Sequence, residues 1–372
     1  MNEARDIVGI SVPFAAGVAT GAAMYPLLSG RLPYITSSIL LILIFITTIL
    51  ARFDKFSGRW LVIAGIFLIT GIFSSLSHSI ASGIPEYESG FISSAAADAV
   101  GTLRSVIDNI PYPSESTAPL VKALLTGDKS DLTKEITGIF RDSGASHILA
   151  LSGLHLGVLY ILLARLTAPL GNSHWIKKLR YSLIIGAALF YSIMTGATPS
   201  IIRAFLFITI NETAKLLGRK REPVRVLLAA LTIQLAIRPD VITSVAFQLS
   251  YMAMAGIFLI FPTLDRIYPM PSCSKFSRFN PFRKIWSAAT LSISCQIFTG
   301  PLAWYYFHSF PKYFILTNLI ALPLTSAIMV LSVATIALSF FGICPEPLVI
   351  LNDHTMQALV FCLKIISGID ES

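Results

Sequence analysis

The sequence predicts an all-α fold, a polytopic transmembrane helical bundle of about ten to eleven spans. Composition gives the first reason: 54% of the residues are hydrophobic and 13% are charged, against about 25% charged in an average soluble domain. Window length gives the second, because several apolar runs approach or exceed the ~20 residues that a helix needs to cross ~30 Å of hydrocarbon. The third is an alternation of charge between successive loops, which a wrong parse would scramble.

The first apolar window, 7–28, follows a single arginine and is too long for the core of a signal peptide, so a retained signal anchor is expected. Windows at 34–51 and 60–81 complete an N-terminal three-helix membrane segment, 1–81. Residues 82–144 form the only sizeable hydrophilic insertion, with nine acids, five bases and turn signals at "IPYPSES". Within it, 95–110 and 117–125 read as short amphipathic helices at the membrane interface. Further windows at 145–167, 180–196, 199–217, 225–238, 241–261, 285–307, 313–341 and 348–367 make up a membrane core over 145–372.

Loop charge orients these windows. Segments 52–59, 168–180, 218–225 and 262–284 carry fifteen Lys and Arg, whereas the opposite set carries eight, five of them in 82–144. Cytoplasmic loops collect Lys and Arg, so the N-terminus is predicted cytoplasmic, the insertion faces the other side, and the C-terminal "GIDES" ends outside if the last window spans. Much of the net charge of +8 serves this orientation and is weak grounds for a nucleic-acid partner. Cys273, Cys295, Cys344 and Cys362 are too far apart for a CxxC metal site or a disulfide framework and read as packing residues. No repeat, low-complexity tract or cofactor-binding loop is found, so no cofactor is expected.

Polar groups inside apolar windows are costly and mark cavities, partners or sites. Arg203 lies about one turn inside the outer end of its window, where it reads as an interfacial snorkeller or as an anion contact at the mouth of a path. Glu212 falls on the opposite helix face and has Lys215 at i+3. Ser152, His155, Gln234, Gln248, Ser250, Gln296 and Asn318 are each ordinary interhelical glue taken singly, but together they suffice to line a hydrated groove. Pro199, Pro301 and Pro323 fall in or at the ends of these helices, consistent with kinks near it.

The stretch "SHILALSGLHLG", 146–157, concentrates such groups. Gly153 and Gly157 form a GxxxG, whose plain meaning is close helix packing. Ser152 and His155 share a helix face, and His147 is about 80° from His155 if the helix starts that early. A metal site lacks a carboxylate at helical spacing, and a Ser/His hydrolase is disfavoured because two residues three apart on one helix rarely reach a productive mutual geometry.

The order of motifs resembles the membrane core of the ComEC-type competence proteins, bacterial channels for transforming DNA. The resemblance rests on "LLTGDKSDL" (124–132), "GASHILALSGLHLG" (144–157), "YSIMTGATPSIIRAF" (191–205), "AFQLSYMAMAGI" (246–257), "GPLAWYYFHSF" (300–310) and "TNLIALPL" (317–324). It covers roughly 118–325 and implies a polytopic inner-membrane protein that passes one DNA strand from the periplasmic side to the cytoplasm, with 145–372 as the channel core. The family's motif residues fall on Gly127, Asp128, His147, Ser152, Gly153, His155, Arg203, Gln248, Ser250, Pro301, His308 and Asn318. Longer family members also carry an OB-like domain and a metallo-β-lactamase-like domain. The insertion here leaves little room for the former, and no histidine-rich metal motif stands for the latter.

The leading expectation is therefore a channel for single-stranded DNA in the inner membrane, without catalytic or metal-binding residues of its own. Arg203 and the cationic loops would attract the strand at each end, and Tyr191, Trp304, Tyr305 and Tyr306 offer stacking surfaces or an ordinary interfacial belt. With no nucleotide-binding motif, the pulling force is expected from a cytoplasmic ATPase or helicase. A periplasmic DNA receptor and a separate nuclease are the other implied partners besides membrane lipids, and a homo-oligomer is allowed. The alternatives are a small-solute transporter, for which an internal repeat is missing, and an intramembrane hydrolase using Ser152 and His155.

Overall fold

The structure is a computed structural model that describes residues 3–28, 32–50, 59–81, 90–171, 173–268, 281–308 and 313–369. Cys273 lies outside them. They are overwhelmingly helical, and no strand occurs among them. A helix stands at every apolar window. In chain order these are α1 (Glu3–Met24), α2 (Leu32–Leu50), α3 (Arg59–Ala81), α4 (Gly90–Asp108), α5 (Thr117–Thr126), α6 (Lys134–Asp142), α7 (Ser146–Leu149) and α8 (Gly153–Thr167). There follow α9 (His174–Met194), α10 (Pro199–Leu216), α11 (Pro223–Ile237), α12 (Val245–Leu259), α13 (Phe261–Asp265), α14 (Pro281–Phe307), α15 (Phe314–Phe340) and α16 (Glu346–Ile369). Among the described residues, six helices are long and apolar enough to cross a membrane: those at Ile7–Leu27, Val62–Ala81, Gly153–Leu170, Val245–Asp265, Phe314–Phe340 and Glu346–Gly368. The chain is thus an all-α, multi-pass membrane protein.

The chain divides into two compact units, residues 1–88 with 209–251 and residues 89–208 with 252–372. The first is built on the contact of α1 with α3. A Cβ on Gly17 would strike the backbone carbonyl of Leu68, and one on Gly71 that of Phe14, so the two backbones touch where only glycine leaves room. The GxxxG of Gly17 and Gly21 is the sequence signal of this seam. Thr232 Oγ1 donates to Ser11 Oγ at 2.8 Å, Tyr251 OH to Gln234 Oε1 at 2.9 Å, and Gln248 Nε2 to the carbonyl of Ile242 at 2.9 Å. Lys215 meets the buried Glu212 at 3.3 Å, the pair expected from their i+3 spacing.

The second unit has two packed centres. One gathers Leu120, Leu124, Phe140, Ile148, Ile328, Met356, Leu359 and Leu363, so that α5, α6 and α7 share a core with α15 and α16. The other joins Leu156 of α8 to Ile184, Ala188 and Tyr191 of α9 and Ile201 of α10. Sequence patterning reads 117–125 as an interfacial amphipathic helix, but α5 is covered on all sides, with residues from Thr117 through Thr126 buried apart from Ala118 and Pro119. Its composition, TAPLVKALLT, is apolar enough to allow this, and Lys122 disguises it.

Candidate functional site

The 145–167 window is not one helix. After α7, Ala150 turns extended (φ −82°, ψ 129°), Ser152 is extended as well (φ −123°, ψ 166°), and α8 begins at Gly153. Ser152 is the N-cap: its Oγ accepts from the N–H of Leu154 at 3.3 Å. In return, its own N–H donates to Nδ1 of His155 at 3.1 Å. This is a capping box with histidine in the third position, where Glu or Gln usually reaches back. The Ser-x-x-His spacing that suggests a hydrolase is thus accounted for by helix initiation. Ser152 Oγ also lies 3.1 Å from Nδ1, but that nitrogen already takes the Ser152 N–H.

The cap also sets the tautomer. A backbone N–H only donates, so Nδ1 is the acceptor and the neutral ring carries its proton on Nε2. His155 is fully buried, and Nε2 has no hydrogen-bond partner among the described residues. His147 sits on α7, on the other side of the break, where it is exposed and its Nδ1 lies 3.2 Å from the carbonyl of Gly144. The break therefore removes the shared-helix relation between the two histidines. Among the described residues no three His, Cys, Asp or Glu side chains come together as a metal set.

The GxxxG reading of Gly153 and Gly157 is corrected in part. A Cβ on Gly153 would lie 3.0 Å from Nη2 of Arg203 and 3.3 Å from Cβ of Ala204, whereas one on Gly157 would meet nothing within 4 Å. Gly153 admits the Arg203 guanidinium and the near face of α10, where a Cβ would also meet the Ser200 carbonyl oxygen at 3.9 Å. Arg203 is 9% exposed, which is not the posture of a snorkelling side chain. It brings a positive charge to the N-terminal, electropositive end of α8.

The "TGDKSD" motif packs onto the same break. Gly127 ends α5 in the left-handed region (φ 78°), and a Cβ there would collide with the side chain of Leu151. Both the conformation and the space call for glycine. Tyr191 OH donates to the carbonyl of Leu125 at 3.0 Å, at 7% exposure. It is a structural tie for α5 and offers no face for stacking. Trp304 and Tyr305, by contrast, are exposed.

Asp128 is engaged by its own loop and by α4. Its Oδ1 accepts from the N–H of Ser130 at 3.0 Å and its Oδ2 meets Arg104 at 3.0 Å. The Ser130 hydrogen bonds, followed by Arg104, hold its carboxyl below the usual carboxylate range. Beside it, Lys122 Nζ lies 2.6 Å from Asp108 and 2.7 Å from Asp131. The Asp108 carboxylate first and Asp131 second push the lysine up, and Lys122 holds Asp131 down.

The other candidates are dispersed. Gln248 and Ser250 belong to the first unit. His308 is exposed and left-handed (φ 49°) and closes α14 through its N–H to the Trp304 carbonyl at 3.0 Å. Asn318, on α15, buries an Oδ1 that has no partner among the described residues.

Asp353 is not among the polar residues that the sequence singles out. It is buried on α16 and accepts from the N–H of Ser114 at 3.2 Å, from the Ser114 hydroxyl at 2.8 Å and from the Thr117 hydroxyl. These groups sit at the N-terminal end of α5, where the helix dipole also favours a carboxylate. Asn352 beside it donates to Ser332 Oγ at 3.0 Å and to Tyr112 OH at 3.4 Å. Burial pushes the Tyr112 phenol up to about 12. Asn352 and Asp353, inside the last apolar window, were the available signal.

The family model for competence proteins matches residues 124–372, two thirds of the chain, a span that holds Asp128, Ser152, His155 and Arg203 but not Arg104, Asp108 or Lys122. The chain belongs to the competence protein family. Among curated proteins, this competence-family chain is 28% identical over 265 residues to the uncharacterized protein YcaI of Escherichia coli, covering 68% of the chain and 33% of that protein. It is 26% identical over 215 residues to ComE operon protein 3 of Bacillus subtilis, with 58% and 25% covered. With Recombination protein 2 of Haemophilus influenzae it is 26% identical over 218 residues, with 57% and 27% covered. It thus spans between a quarter and a third of the length of these relatives. No solved structure matches the chain.

Proposed function

We propose that this competence-family chain forms the inner-membrane channel through which single-stranded DNA enters the cytoplasm in natural transformation. Membership in the family supports DNA uptake, and relatives named for the ComE operon and for recombination fit that setting. The observation that carries the channel is the broken segment at 150–152. It starts α8 inside an apolar window and sets the buried guanidinium of Arg203 against its first residue, Gly153. A phosphodiester crossing a low-dielectric layer needs cationic or N–H partners along its path. The Arg203 guanidinium supplies the cation, and the positive end of the α8 dipole adds to it, as the ends of broken helices do for anionic substrates in transporters.

In this reading the N-terminus is cytoplasmic, and the strand arrives on the side of the insertion, handed over by a periplasmic DNA receptor. It is drawn inward by a cytoplasmic ATPase or helicase. The chain contributes a path and no chemistry, so degradation of the second strand falls to a separate nuclease. The test follows labelled donor DNA into the cytoplasm of cells carrying the wild-type chain, its deletion or Arg203→Gln. Deletion is expected to abolish entry while DNA still reaches the periplasm, and Arg203→Gln to lower entry at unchanged membrane content. Equal entry with and without the chain refutes the channel.

A further inference from the structure

The charged cluster around the "TGDKSD" loop has no place in the channel reading so far. Three elements meet there: α4 contributes Arg104 and Asp108, α5 contributes Lys122, and the loop contributes Asp128 and Asp131. Arg104 pairs with Asp128, and Lys122 is held between Asp108 and Asp131. The same loop presses Gly127 onto Leu151, a residue of the break that precedes α8. The ion pairs therefore hold in place the loop that packs Gly127 on Leu151.

The pairs are of a kind that yields to a competitor. Each pair joins an exposed side chain to a more covered one, Arg104 (44%) to Asp128 (18%) and Asp108 and Asp131 (52% and 49%) to Lys122 (10%), so water and salt reach every pair from one side and screen it there. Asp128 also satisfies Arg104 incompletely: one terminal nitrogen meets the carboxylate, while Nε is buried and without an acceptor among the described residues. A phosphate presents two oxygens to the guanidinium fork and fits it better than this single contact.

We propose that the carboxylates of Asp128 and Asp131 occupy Arg104 and Lys122 as stand-ins for phosphate, and that an arriving phosphodiester backbone displaces them and lifts the loop from Leu151. The inference rests on the DNA-uptake reading and adds its trigger. Arg104 receives the first phosphate because it is the more exposed cation. Lys122, with a side chain 10% exposed, exchanges once the loop has begun to leave. The strand thereby opens its own way to the α8 N-terminus, and the path stays closed without it.

The experiment uses the full chain in lipid nanodiscs, with Leu151→Cys as the sole cysteine after replacement of Cys273, Cys295, Cys344 and Cys362 by alanine. Modification by a membrane-impermeant maleimide is followed with and without an oligothymidylate. The oligonucleotide is expected to raise the modification rate about tenfold, the change produced when an opening equilibrium moves by one decade. Asp128→Asn with Asp131→Asn should give the fast rate without DNA. Arg104→Gln, on the exposed side of the cluster, should bind the oligonucleotide with a salt slope shallower by about 0.7, one phosphate contact on a single strand, and lose most of the rate increase.

If the oligonucleotide binds the chain carrying Leu151→Cys without changing the modification rate of the introduced thiol, the latch is refuted while the channel reading stands. If it does not bind at all, the channel reading fails first. Nanodiscs of phosphatidylcholine alone and with phosphatidylglycerol separate the sources of phosphate. A fast rate with phosphatidylglycerol and no DNA would assign the trigger to lipid headgroups and overturn the proposal.

Discussion

Replacing His155 separates a helix cap from a catalytic pair. In the structure the imidazole is fully buried and its Nδ1 accepts the N–H of Ser152 at 3.1 Å. His155→Leu removes that acceptor and leaves a backbone donor unsatisfied in the interior, which costs about 1–3 kcal/mol. The reciprocal bond from Leu154 to Ser152 Oγ loses its fixed geometry, and a serine cap is itself worth roughly 1 kcal/mol. The two terms share one hydrogen-bonded loop and do not add fully, so a loss of about 2 kcal/mol is expected, or roughly 2–3 °C in melting temperature for a chain of this size. His155→Gln restores the ordinary capping box and should recover most of that loss. Melting in detergent and cytoplasmic uptake of labelled DNA are measured on the same variants. If glutamine restores stability but uptake stays at the level of His155→Leu, the ring does something a cap does not, and the capping account of its function is refuted.

Gly127→Ala forces a left-handed residue to carry a Cβ, at roughly 1–2 kcal/mol, and drives that atom into Leu151; adding Leu151→Ala should recover the steric share and not the backbone share, read as two steps in melting temperature. Asp353→Ala removes the acceptor of the Ser114 N–H and of two hydroxyls and is expected to destabilise by about 1–3 kcal/mol, with Asp353→Asn less harmful and an unchanged melt refuting the tie between α16 and α5. Because Asp128 and Asp131 are held low, their contribution is complete above the unfolded carboxylate value of about 4 and is lost as pH falls through their lowered values. Lys122 is held high, so its share is complete below about 10.5 and is lost as pH rises further. Lys122→Met should flatten both limbs of the melting-temperature profile, and an unaltered profile would dismiss the cluster as a source of stability. Gly17→Val places side-chain atoms against the Leu68 carbonyl and should loosen the α1–α3 seam by about 1–3 kcal/mol, seen as faster proteolysis of the first unit.

Hydropathy windows and loop charge made the helices legible because both are summed over many residues, and a helix lies at each window. The Glu212–Lys215 pair was legible for the same kind of reason, a fixed spacing on one helix. The break at 150–152 was not, because Ala150 and Leu151 are apolar and the turn signal of Ser152-Gly153 also reads as the start of a GxxxG packing motif. Its start signal was present in Ser152-x-x-His155, but histidine in place of Glu or Gln makes a capping box look like a reactive pair. The burial of Tyr191, the fit of Gly127 to Leu151 and the hold of Asp353 on α5 depend on residues far apart in the chain. No local pattern encodes them.

Ser152 caps α8, Asp128 is engaged by Ser130 and Arg104, Gln248 bonds the Ile242 carbonyl, and His308 ends α14. Each of these motif residues has local work that explains its chemistry without a ligand. His155 Nε2 and Asn318 Oδ1, a buried donor and a buried acceptor on motif residues, belong to a wider set of buried polar atoms without a hydrogen-bond partner among the described residues, Thr198 Oγ1 and Trp286 Nε1 included. Unmet polar atoms are expensive in an apolar interior, so their retention calls for something that meets them at least part of the time. Water in a path that opens is the simplest such partner, since it both donates and accepts, and it would hydrate a passing phosphate as well. Removing the acceptor alone, by Asn318→Leu, should therefore slow DNA entry while leaving the α8 cap intact. If Asn318→Leu stabilises the chain and uptake is unaffected, the acceptor is a local defect of packing and the path runs elsewhere.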